Sequence, residues 1–152
     1  MWMPLILAAS IALLVVAGAV ITHFARADLS PEKQAAAKAC EAEYKNQFPK
    51  GPGLVGGDIY SAAEWEGLNA ALVRLGAVAE RTLTGEEASA QDDAAAALIS
   101  KGEDTMTLLW QRDDQTHAQC VAEMRNGSVT LVTVTTLATP EASATPTPSP
   151  SS

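Results

Sequence analysis

The residues whose types could carry nucleophilic chemistry are few: Cys40, Cys120 and His117, with His23 set apart at the end of an apolar run. A Cys-His pair needs the imidazole beside the thiol. His117 and Cys120 are three positions apart, so on a strand they point to opposite faces, and a Cys40 packed on the Cys120 side is no better placed. A Ser-His-Asp site built from His117 with Asp113 or Asp114 would need an elbow serine of the Gly-x-Ser-x-Gly kind, which the chain lacks. Asp92-Asp93 has no calcium loop of alternating oxygen ligands around it, and no His, Cys and Asp residues have metal-ligand spacing. Gly51-Pro52-Gly53 and Gly56-Gly57 fit neither the phosphate-cradling nor the dinucleotide pattern. No catalytic, cofactor-binding or metal-binding residue is therefore expected, and the chain does not read as an enzyme. The chemistry left to the cysteines is with each other: a disulfide between Cys40 and Cys120, which places the chain in an oxidising compartment.

The elements that must bring those sulfurs together can be read in turn. Ser30-Pro31-Glu32 is a helix start, with a capping hydroxyl, a preset first residue and an acid at the positive end of the helix dipole. From Pro31 to about Gln47, Ala36, Cys40, Tyr44 and Phe48 recur every fourth residue, which puts the first thiol on a buried stripe. Pro49 to Asp58, with its prolines and glycines, reads as a loop. Ser61-Ala62-Ala63-Glu64 is a capping box opening a helix with Trp65, Leu68, Leu72 and Leu75 on one face. Thr84-Gly85-Glu86-Glu87 opens another, whose apolar face is thin: Ala88, Ala95, Leu98 and Ile99, ending near Lys101-Gly102.

Thr105 to Arg112, Thr116 to Arg125 and Ser128 to Leu137 alternate with period two and are parted by Asp113-Asp114-Gln115 and Asn126-Gly127. They predict an antiparallel meander. A three-residue first turn sets Trp110 against Ala118, Leu108 against Cys120 and Met106 against Ala122. A two-residue Asn-Gly turn sets Met124 against Val129, Ala122 against Leu131 and Cys120 against Thr133. The second sheet face then carries Leu109, Val121, Val132 and Val134, a candidate interaction face, and the uncharged outer strand from Thr130 to Thr136 is a candidate edge for strand addition.

From Leu5 to Ile21 the chain is apolar or small, with Trp2 and Phe24 at its ends, so residues 2–24 are expected to meet a membrane. Ala25-Arg26-Ala27 supplies a cleavage site, and residues 1–27 are a membrane anchor or a signal peptide. Residues 28–138 form the extracytoplasmic domain, and the Thr/Pro/Ser-rich residues 139–152 are expected to be disordered. The fold class expected is α+β: an N-terminal membrane helix, then about three helices packed on a C-terminal three-stranded antiparallel meander with one disulfide. A net charge of -8 repels phosphate backbones, so nucleic acid is not an expected partner. The Ala-heavy, aromatic-poor composition resembles that of small exported proteins of high-GC Gram-positive bacteria, a likeness that names no family. The expected function is a binding module outside a cell membrane, single-pass with its C-terminal domain outside or secreted after cleavage at Ala27, with a protein partner on the sheet face or edge strand. A structural or envelope-assembly accessory is the alternative, and a small exported enzyme a third.

Overall fold

In the computed structural model, which describes residues 29–138, helix α1 spans Pro31–Gln47. The Ser30 hydroxyl accepts from the Lys33 N–H at 3.3 Å, and Ala36, Cys40 and Tyr44 form its buried stripe. Strand β1 follows (Leu54–Tyr60), then a single 3₁₀ turn (Ala62–Glu64), α2 (Trp65–Arg74), α3 (Gly85–Ser100), β2 (Glu103–Arg112), β3 (His117–Arg125) and β4 (Ser128–Leu137). The capping boxes at Ser61/Glu64 and Thr84/Glu87 are both formed. The apolar segment 5–21, the Ala25-Arg26-Ala27 site and the tail 139–152 lie outside the described residues. Among the described residues no helix is long and apolar enough to cross a membrane.

The expected three-stranded meander is corrected to a four-stranded antiparallel sheet, ordered β1-β2-β3-β4. The added strand is the stretch read as a loop. One of its two glycines is a close-approach residue: a Cβ on Gly57 would collide with the Leu109 carbonyl oxygen and with Trp110 Cδ1, so β2 and its indole leave no room for a side chain there, whereas Gly56 has open space around it. Two flanking bonds fix where β1 begins, the Gly53 N–H donating to Asp113 Oδ2 and the Asp113 N–H to the Gly53 carbonyl, both 2.9 Å.

The β2–β3 register puts Trp110 opposite Ala118, Leu108 opposite Cys120 and Met106 opposite Ala122, with Gln115 at φ 65° completing the three-residue turn. Asn126 and Gly127 both have positive φ, as a two-residue hairpin turn with the twist of its strands requires, and Met124 pairs with Val129. One pair later the expected register fails. A bulge at Thr130, whose hydroxyl donates to the Glu123 carbonyl at 3.1 Å, shifts β4 by one residue. Ala122 therefore faces Val132 instead of Leu131, and Cys120 faces Val134 instead of Thr133. A one-residue slip exchanges the two faces of a strand. Val132 and Val134 turn to the Cys120 side, while Leu131 turns away and is 53% exposed.

α1 packs across β2, β3 and β4 on that side. The core there holds Ala36, Cys40, Tyr44, Met106, Leu108, Trp110, Ala118, Cys120, Ala122, Met124 and Val134. A disulfide joins Cys40 to Cys120, Cα–Cα 6.0 Å, in the middle of this layer. At one end of it Tyr44 meets Trp110 edge-on, ring centres 5.8 Å apart, and donates its hydroxyl to the Pro52 carbonyl at 2.7 Å. On the opposite face α2 lies against β1 and α3 against β2, where Thr107, Leu109, Ala71 and Ala95 are buried. α3 is the thin helix its composition foretells, with Ala95 its one buried residue.

Candidate functional site

The residues singled out for chemistry are dispersed or engaged. Cys120 is oxidised, faces α1, and is buried, whereas His117 pairs with Gln111 and Leu137 on the other face. Asp113 holds Gly53, and Asp114 accepts from both the Thr116 hydroxyl and the Thr116 N–H, which keeps its carboxyl below the usual range. The Arg112 guanidinium donates to the same hydroxyl at 2.6 Å. These aspartates build the β2–β3 turn. Asp92 accepts the Trp65 indole N–H at 2.8 Å and so ties α3 to α2. Among the described residues no three His, Cys, Asp or Glu side chains gather as a metal site.

A cleft lined by Tyr60, Glu64, Trp65, Glu66 and Asp92 sits where β1 meets α2. Much of its polarity is spent internally. Lys33 Nζ contacts Glu64 Oε2 at 2.6 Å and the Ser61 N–H donates to the same oxygen at 2.7 Å. The Lys33 hydrogen bond, then that from the Ser61 backbone, lowers the Glu64 carboxyl from its ordinary 4.5. A carboxylate depressed in the folded state stabilises fully above its unfolded value and loses that contribution as pH falls through the folded one. Because Glu64 is half exposed, solvent screening limits the gain. Glu64→Gln should therefore lose no more than about 1 kcal/mol at neutral pH. The two unfolding curves should converge as pH drops below 4.5, and a gap that persists in acid would show that the ion pair is not its source.

The four residues expected on one interaction face are not brought together. Leu109 is buried beside the helices, Val132 and Val134 belong to the α1 core, and only Val121 lies on the part of the second face that α2 and α3 leave uncovered. α2 and α3 make at most marginal contact with β3 and β4. The uncovered half consists of His117, Gln119, Val121 and Glu123 on β3, with Leu131, Thr133, Thr135 and Leu137 opposite them on β4. Leu131 and Leu137 were missed because a regular Ser128–Leu137 strand assigns them to the core. The strand's own sequence held one hint: only a skipped residue puts Val129, Val132 and Val134 together on one face, and those three are the β4 residues that touch the core, although which face is core is decided by α1.

The chemistry of this surface is mixed: Val121 and Leu131 form a small apolar patch at one end and Leu137 lies at the other, with Thr133 and Thr135 between them and an amide, one imidazole and one carboxylate alongside on β3. It has adaptable donors and acceptors. The chain matches no protein-family model, no curated protein and no solved structure.

Proposed function

We propose that the chain is an exported protein-binding module that works on the oxidising side of a membrane and presents the uncovered half of its sheet to another protein. Binding, and not catalysis, is the role. The observation that carries it is Leu131: whereas Leu108 and Leu109 of β2 are buried, a bulge turns this leucine outward to 53% exposure beside Val121. A small apolar patch of this kind, set among polar groups that include one carboxylate, has the composition of a small recognition surface. The location is supported by the buried disulfide, a bond that persists in oxidising compartments. The apolar residues 5–21 point the same way, as a membrane attachment or as a segment removed at Ala27.

A photo-reactive residue placed at Gln119, on the uncovered face, should give a discrete adduct with a different protein in intact cells. The same residue at Val55, which is 67% exposed on β1, should give none. Protease added outside the cells should digest the adduct. Equal labelling from both positions, or adducts only between copies of the chain, would reject the surface; an adduct resistant to external protease would reject the location.

A further inference from the structure

We infer that the outer edge of β4 is a homodimer interface, on which a second copy of this chain lays its own β4 antiparallel about a twofold axis at Val134. This rests on the strand's edge and not on the uncovered face proposed for partner binding.

Which backbone groups point outward follows from the register. The Arg112 N–H donates to the Thr116 carbonyl at 2.9 Å, making these residues a hydrogen-bonded pair. In an antiparallel ladder bonded and non-bonded pairs alternate. Ala118, Cys120 and Ala122 therefore spend their N–H and C=O on β2, and their partners Thr136, Val134 and Val132 direct theirs away from β3. The opposite edge provides a check: the same alternation turns the Ile59 carbonyl of β1 outward, and there Lys33 Nζ donates to it at 3.3 Å.

The two edges are treated differently. β1 is blunted by that lysine, by a bulge between Leu54 and Gly56 and by Asp58. β4 has its bulge at Thr130, near its start, after which Leu131–Leu137 runs regularly with no charge, no proline and, among the described residues, no strand on its outer side. The acidic surplus lies elsewhere, with Glu86, Glu87, Asp92 and Asp93 all on α3. A -8 chain thus approaches its own copy with least repulsion along β4.

The strand is also complementary to itself. With the axis at Val134, that residue pairs with itself and Val132 with Thr136 of the second copy. These outward groups make about six backbone hydrogen bonds. On the uncovered face the same register sets Thr133 beside Thr135 of the copy, and the exposed Leu131 beside its Leu137. Such a twofold contact closes and cannot propagate into a fibre, because it consumes the edge it uses on both copies.

The test uses the full chain in its native cells. Two differently tagged copies are co-expressed, one carrying Thr133→Cys and the other Thr135→Cys, positions that the register makes a close non-bonded pair suited to a disulfide. With an added thiol oxidant, a mixed dimer should form when both are present, and each variant alone should give at least tenfold less. Thr136→Pro added to both copies should abolish the cross-link. That proline removes an N–H used only by the second copy, so at a dilution where the chain is monomeric the unfolding midpoint should be unchanged. Cross-linking no stronger in the mixture than in single variants, or undiminished by Thr136→Pro, would overturn the interface. So would loss of the cross-link together with loss of folding, since the Thr136 N–H would then serve the monomer.

Discussion

Replacing Cys40 or Cys120 by alanine is expected to lower the stability of the domain by about 4–5 kcal/mol, the chain-entropy value for a cross-link across a loop of this length. The bond spans 80 positions, and both residues are fully buried between α1 and β3. For a domain whose whole stability is on the order of 5–15 kcal/mol, that is a large fraction. Each single variant should shift the urea midpoint by the same amount and the double variant little further, because the same constraint is lost in all three. Additive losses would show that each sulfur contributes by packing alone, as would an unchanged midpoint on reduction.

The second large effect concerns the bulge. Val134→Asp is expected to destabilise by more than about 3 kcal/mol, since it places a carboxylate without a partner against the disulfide layer. Thr133→Asp, one residue earlier and exposed, should change stability by no more than about 0.5 kcal/mol. Val134 is 7% exposed and opposite Cys120. The regular register expected from the sequence demands the reverse ranking, so thermal unfolding of the two variants discriminates directly between a bulged and an unbulged β4.

Where local chemistry decides the outcome, the sequence was a good guide. The Ser30-Pro31 start, both capping boxes, the four-residue stripe through Cys40 and the Asn126-Gly127 turn each depend on neighbours within about a turn of chain. The structure forms them where their residues indicate. Two features depended on distant partners and were misread. Gly56-Gly57 carries a loop's composition, and only the close approach of the Leu109 carbonyl and the Trp110 indole makes glycine a requirement of the strand at Gly57. The Thr130 bulge is set by what α1 offers on the core face: regular alternation would place Val129 and Leu131 toward it, whereas skipping one residue groups three valines. The candidate surface inherited that error, so Val121 was placed on the uncovered face correctly while Val132 and Val134 were not.

The disulfide has a mechanical corollary. A pull applied at residue 29 on one side and along β4 on the other reaches β3 through the sulfur bridge, because Cys40 lies in α1 and Cys120 in the strand adjoining β4. Tension then bypasses everything between the two cysteines, including β1, α2, α3 and β2. At about 3.4 Å per residue, roughly 270 Å of contour is withheld from extension. Under load the domain can lengthen only by the short stretches outside that ring, so its α2–α3 half stays folded while the chain beyond the bridge is drawn taut.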